Sequence, residues 1–389
     1  MNREEAPKPL SLQRDLFEMP DEVTYLNCAY MAPQSRLVRR AGEEAVARKS
    51  RPWEIMPRHF FEESEEARRL FARVVGGEAD GVAIIPSVSY GMAIATANVA
   101  VEKGQSIAVL EEQFPSNVYP WRELSKRRGA EVVTVPRPAD HDWTSAVLER
   151  VDESTAVLAV PNCHWTDGSM LDLRRVGERA REAVVALVVD ATQSLGAQPL
   201  DVSEARPDFL ISAAYKWLLG PYSLGFIYVS EAYRSGTPIE HNWLNRENSE
   251  DFADLVDYRD NFQPGARRYD VGERSNPVLL PMAIVALRQV LDWGVCGISE
   301  YIGKLTDLVE EEAKKRGIEA VPKERRGRHM IGLGLAPMLP ATSPPGWRVR
   351  TSSSAFGAGA CASRRTSTTT NGTRSASSAR LTGTCGRFG

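Results

Sequence analysis

Between residues 80 and 235 the chain alternates short, almost unbroken Val/Ile/Leu runs with segments of helical spacing. The runs are GVAIIP (81–86), SIAVLE (106–111), EVVTVP (131–136), TAVLAVP (155–161), VVALVVD (184–190), DFLISAA (208–214) and GFIYVS (225–230). A strand that is apolar at every position has no face to offer water, so both of its faces must be covered. The intervening helices supply that cover. The pattern predicts an α/β fold around a mostly parallel sheet flanked by helices. Upstream, Val23–Leu26 reads as a short strand leading into the turn-rich NCAYMAPQS. A long charged helix over 37–75 follows, interrupted near Pro52 and Pro57 and closed by Gly76 and Gly77. Downstream, 281–294 and 300–317 read as helices and RHMIGLGL (328–335) as the first strand of a smaller α+β domain. The expected division is an arm over 1–22, a large domain over 23–280, a partial small domain over 281–338 and a Ser/Thr/Arg-rich disordered tail over 339–389.

Composition excludes several classes of function. No run of about 18 apolar residues exists, so no membrane span is expected. The N-terminal MNREEAPKPL has no apolar core, so no signal peptide is expected. Five scattered cysteines form no CxxC pair, which suits a reducing cytoplasm. Five histidines give no HExxH, so no metal is expected. A net charge of −3 offers no footprint for nucleic acid. That total hides an asymmetry. All 51 acidic residues and 41 of the 48 basic ones precede Pro340, a net −10, whereas the rest of the chain holds seven Arg and no Lys, Asp or Glu.

Two residues carry the chemistry. Asp190 closes one apolar run, and Lys216 follows the next one. Open α/β sheets bind ligands beyond the C-terminal ends of their strands. A partly desolvated lysine has a lowered pKa and serves as a Schiff-base nucleophile. A carboxylate that keeps a pyridine nitrogen protonated makes that ring an electron sink. Taken singly, such an Asp is usually a cap, and such a Lys lays its stem on neighbouring rings at the surface. On successive strands, with Gln193 and Tyr215 beside them, they point to pyridoxal phosphate. Ser87, Val88 and Ser89 stand where a strand passes into a helix, which suits a phosphate, although any capped helix start looks similar.

As a set these segments, from Tyr25 to Met282, resemble the class V aminotransferases. These are pyridoxal phosphate enzymes of fold type I that include cysteine desulfurases, kynureninases and isopenicillin-N-epimerase-like proteins. The resemblance implies a seven-stranded sheet, a homodimer with sites at its interface, and an amino acid substrate. It implies that Asp190 pairs with the pyridine nitrogen, that Gln193 nears the ring hydroxyl and that Tyr215 reaches the phosphate. Phe114 would stack on the ring; the alternative is a core Phe. In PNCHWTDG (161–168), His164 stands where Asn is common, as a cofactor-side group or as a satisfied rim histidine. Asn27 and Tyr30 are substrate-side groups or turn residues. Glu273, Arg274 and Ser275, in GERSN, would reach the phosphate of the other subunit. The implied reaction is transamination: the substrate amine displaces Lys216, which then acts as base on the α-proton. A kynureninase-like or C–S lyase outcome is the alternative. The absence of Cys at the usual loop argues against a desulfurase.

The resemblance also implies a late strand with a substrate-binding arginine in a pattern like R-V-S-P-H-x-Y-N. No such strand is present, and Arg364, Arg365 and Arg374 sit in no strand-like run. Back-translating CASRRTSTT (361–369) as TGC GCG TCT CGC CGC ACC TCT ACA ACG, and reading two bases later, gives R-V-S-P-H-L-Y-N. The tail therefore reads as out of frame, with the shift between Gly332 and Gly346, and an inactive cofactor-binding product is a third functional reading. A genuine Ser/Thr-rich disordered tail is the alternative. Resequencing the gene is expected to recover the shifted frame; an intact frame ending in this same peptide would refute it.

Overall fold

The computed structural model describes residues 10–334 and 354–357. Ser35 starts helix α1 (Arg36–Lys49) by accepting the Val38 amide on its hydroxyl. Helix α2 (Glu62–Val75) ends at Gly76, whose φ of +67° is the left-handed cap that glycine adopts without strain. The expected long helix is thus two, separated by short turns at Pro52 and Pro57. Val23–Leu26 forms no strand. It runs instead into a turn in which the Tyr25 hydroxyl donates to the carbonyls of Asn27 and Met31.

The remaining elements alternate as expected. They are β1 (Val82–Ile85), α3 (Val88–Asn98), β2 (Ser106–Leu110), α4 (Tyr119–Arg128), β3 (Glu131–Val135), α5 (Trp143–Arg150), β4 (Thr155–Pro161) and α6 (Leu173–Glu182). Then come β5 (Ala186–Asp190), α7 (Val202–Ala205), β6 (Phe209–Ala213) and β7 (Gly225–Val229). Seven strands form one sheet in the order β1-β7-β6-β5-β4-β2-β3. Only β7 runs antiparallel to its neighbours. Pro161 lies opposite Asp190, and Asp190 opposite Ile211, so β4, β5 and β6 run out along one rim.

Alternate residues of each strand enter different cores, as the two-residue period of a strand requires. Ile84, Leu158, Val189 and Phe226 pack with α2, α6 and the helix over 279–293. Ile85, Val157, Val188 and Ile211 pack with α3 and α4. Helices α8 (Leu279–Trp293) and α9 (Val295–Lys314) lead to β8 (Met330–Leu333), which pairs antiparallel with β9 (Ser354–Gly357). Among the described residues no single helix is long and apolar enough to cross a membrane. Apart from β9, the tail, with its proposed frame change and Arg364, Arg365 and Arg374, lies outside the described residues.

A buried ionic knot fixes the loop before α8. The Arg68 guanidinium is fully buried and donates to both carboxylate oxygens of Asp270, at 3.1 and 2.7 Å. Asp270 also accepts the Ile84 amide at 2.6 Å and Arg274 Nη1 at 3.0 Å. One carboxylate thereby joins α2, β1 and the 265–276 segment. Removing one partner of a buried pair leaves the other charge uncompensated, so Asp270→Asn is expected to cost about 3–5 kcal/mol in urea unfolding. A loss below about 1 kcal/mol, the range of exposed pairs, would show that the knot contributes little.

Candidate active site

The C-terminal ends of β1, β2, β4, β5 and β6 open onto one cavity of about 300 Å³. Its lining includes Ser87, Val88, Ser89, Phe114, Asp190, Gln193, Tyr215 and Lys216. The sheet thus gathers eight residues singled out in the sequence from four separate segments.

Asp190 and Lys216 are both buried. Burial raises the Asp190 carboxyl above the ordinary carboxylate range, against hydrogen bonds from Thr192. One of its oxygens accepts the Thr192 amide at 3.0 Å. Burial lowers the Lys216 ammonium, against the field of Asp190. Lys216 Nζ stands 5.5 Å from the Phe114 ring centre and 5.9 Å from that of Tyr215. Glu112, Leu219 and Ser223 adopt left-handed backbone (φ 54°, 58° and 62°) around this rim. Such non-glycine strain concentrates at sites where position matters more than stability.

Ser87 caps α3, accepting the Tyr90 amide at 3.2 Å, and its hydroxyl lies 3.0 Å from that of Ser89. The first turn of a helix presents amides that no earlier carbonyl can satisfy, and its dipole favours an anion. Phe114 is partly exposed and meets Trp165 edge-to-face, with centroids 5.5 Å apart. Trp165 is held by its Nε1, which donates to the Glu112 carbonyl at 2.7 Å. Gln193 donates to the Ala29 carbonyl and accepts from Trp217 Nε1, each at 3.0 Å. Gly196 (φ +96°) closes this turn where a Cβ would lie 2.5 Å from the Trp217 carbonyl.

Other expected residues lie elsewhere. His164 is fully buried outside the cavity lining, stacked on Trp143 at 5.1 Å. Its Nε2 bonds the Glu111 carbonyl at 3.0 Å, and its Nδ1 bonds the Thr166 hydroxyl at 2.8 Å. It is a satisfied rim histidine. Its neighbours Cys163 and Trp165 line the cavity instead. Asn27 accepts the Tyr30 amide at 3.1 Å, a turn contact, and Tyr30 is exposed. Neither lines the cavity. Arg274 is buried on Asp270 and Asn245 within its own chain, while its Nε and Nη2 have no partner there. Glu273 is exposed and Ser275 half-buried. Sequence reasoning missed Trp165, Tyr222 and Cys163. Cys163 and Trp165 carried a signal, because they sit in the loop already marked by His164; Tyr222 did not.

These residues fit pyridoxal phosphate. Two buried groups of opposite type lack a direct ion pair with each other, and a helix start and an aromatic face flank the same cavity.

Comparison with known proteins agrees. The family model described as aminotransferase class-V matches residues 46–252. The uncharacterized aminotransferase YcbU of Bacillus subtilis is 26% identical over 66% of this chain and 67% of its own length. A probable cysteine desulfurase of Pyrococcus abyssi is 25% identical over 43% of each protein. Among solved structures, the apo cysteine desulfurase of Thermococcus onnurineus superposes with a TM-score of 0.72 at 17% identity, over 83% of this chain and 82% of that one. A C-DES mutant with glycine covalently linked to its PLP cofactor gives 0.74 at 16% identity, over 83% of this chain and 86% of that one. At these identities the structural likeness speaks for the fold alone.

A buried His329 lies beneath the rim. Burial depresses its pKa to about 4, and it stays neutral at neutral pH. In the unfolded chain a histidine titrates near 6.5. Between about pH 6.5 and 4 the unfolded state binds a proton that the folded state refuses, so stability falls as pH drops through that window. The expected loss from this group is about 3 kcal/mol. Urea unfolding at pH 7.5 and 4.5 should therefore show a smaller acid loss for His329→Gln than for the wild type. Equal losses would refute the assignment.

Proposed function

We propose, for a chain that belongs to the aminotransferase class-V family and is a pyridoxal phosphate-dependent enzyme acting on an amino acid, that the rim cavity is its active site and transamination its reaction. The bound cofactor supplies an aldehyde that condenses with amines and a ring that withdraws electrons. Lys216 is the amine that would bind it, since burial favours the neutral, nucleophilic form of its Nζ. Once a substrate amine takes that place, Nζ is free to remove the substrate α-proton and to return it elsewhere. Asp190 faces the pyridine nitrogen, where a proton-bearing partner offsets the burial of its carboxylate.

The remaining residues bind and orient. Ser87, Val88 and Ser89 take the phosphate at the start of α3, with Tyr215 beside them. Phe114 covers one ring face, and Gln193 keeps a second amide hydrogen for the ring hydroxyl. Trp165 walls the mouth and limits access of water. Tyr30 is a substrate-side group, while Asn27 serves the turn. His164 is left out of the cofactor set because both ring nitrogens are engaged below the rim. Residues 23–280 form the cofactor-binding domain and 281–338 part of a smaller one. The protein acts as a homodimer, in which Glu273 and Ser275 are placed toward the partner's phosphate. A reducing cytoplasm suits the thiols of Cys163 and Cys296.

The observation that carries this reading is the pair of buried groups, Asp190 and Lys216, at the ends of neighbouring strands, each shifted toward its neutral form. The test is the absorption spectrum of the full chain with pyridoxal phosphate, beside Lys216→Ala. A visible-edge band is expected in the wild type and absent from the variant. Its absence from folded wild-type protein would refute the cofactor site. Product formed from an amino acid only with a keto acid present identifies transamination; product without one identifies elimination.

A further inference from the structure

We propose that His329 is a positioning residue for Lys216, acting through Gln193 and Trp217; the inference rests on Lys216 being the reactive lysine. His329 lies on the approach to β8, 136 residues after Gln193, yet its Nε2 is bonded to the Gln193 backbone carbonyl. A carbonyl only accepts, so Nε2 carries the proton. Nδ1 is then an acceptor, and it receives Gln198 Nε2 at 3.0 Å. Gln198 Oε1 in turn accepts the Ser299 hydroxyl of α9 at 3.3 Å. Every polar atom in this chain of bonds has one consistent role, which fixes the ring in a single tautomer and orientation.

That orientation presses the His329 ring against Trp217, with centroids 4.6 Å apart and planes at 83°. Trp217 follows Lys216, and its Nε1 donates to the Gln193 side chain at 3.0 Å. Trp217 is therefore held at its nitrogen by Gln193 and across its ring by His329, which itself holds Gln193. The three residues form a closed ring of contacts, and Trp217 is the residue next to Lys216. The backbone around the lysine has its own constraint: the Leu219 amide donates to the Lys216 carbonyl at 3.0 Å, with Leu219 in the left-handed region at φ 58°. Without the Nε2–H donor the Gln193 turn, and with it the Trp217 indole next to Lys216, loses its tie to the C-terminal segment. Lys216 then returns toward the behaviour of an ordinary lysine.

The consequence is measurable without cofactor or substrate. In the full cofactor-free chain, acetic anhydride labelling of Lys216, followed by peptide mass spectrometry across a pH series, reads the fraction of neutral amine. His329→Gln retains an N–H donor toward the Gln193 carbonyl, and His329→Leu does not. The wild type and His329→Gln are expected to share one labelling midpoint. His329→Leu is expected to move it up by about one pH unit, hence about tenfold less labelling at neutral pH. A wild-type midpoint in His329→Leu would overturn the proposal. Equal displacement in both variants would also overturn it, since a purely steric role ignores the donor. Circular dichroism of each variant restricts the comparison to folded protein, and a leucine variant that fails to fold is replaced by His329→Met under the same criteria. The pyridoxal phosphate spectrum of the wild type, recorded separately, reports whether the cofactor reading fails on its own.

Discussion

Asp190 and Lys216 are taken out of water at the ends of adjacent parallel strands without forming a direct ion pair, and the rim is built around that constraint. Each is pushed by burial toward its neutral form, while the field of the other only partly restores the charge. A fold selected for stability alone would let the two meet or would leave them at the surface. Here Asp190 is turned toward the Thr192 amide, and the lysine head is set among aromatic faces. Among the residues with left-handed backbone, Ser223 lines the same cavity.

Asp270 shows what the same kinds of group do when stability is the outcome. Its carboxylate accepts from Arg68, Arg274 and the Ile84 amide, so burial and attraction are balanced within the chain. The knot ties the 265–276 loop to an early helix and an edge strand. This explains why Arg274, in a motif that reads as cross-subunit, is turned inward. Burial of a guanidinium demands a carboxylate, and the nearest one is four residues upstream in the same loop. Motif position alone cannot report this, because the choice between an internal and an external anion is made by tertiary packing.

The sheet was legible because its signal is redundant. Apolar runs of this kind call for burial on both faces, and all seven became strands, although the edge strand β3 keeps Glu131 and Thr134 exposed. Val23–Leu26 failed because four residues without neighbouring strand partners have no such constraint; its side chains and the following turn decided its course. Asp190, Lys216 and the Ser87–Ser89 turn were legible for the same reason as the strands, since each follows directly from a strand end. His164 was not, because two side chains one residue apart on a loop point in different directions. The ring of His164 went down onto Trp143, and Trp165 went out to the cavity. Sequence spacing marks such a loop but not which of its residues turns inward.

Gln193 explains how distant segments reach the same rim. An amide side chain both donates and accepts, and its own backbone carbonyl adds a third contact. Those three contacts go to Ala29 in the N-terminal loop, to Trp217 beside the lysine, and to His329 in the C-terminal segment. Each partner brings a polar group that would be costly to bury unpaired. The turn after β5 is thus satisfied only when all three segments are docked on it. The same C-terminal stretch bonds the 161–170 loop through Gly327 to Gly168 and Met170 to Arg325. Placing those contacts at the end of β5 makes the geometry of Lys216 a property of the whole assembled chain. The sheet provides the rim, and its order as a site depends on residues more than 100 positions away in sequence. A change in the C-terminal segment can therefore reach the lysine without touching the sheet that carries it.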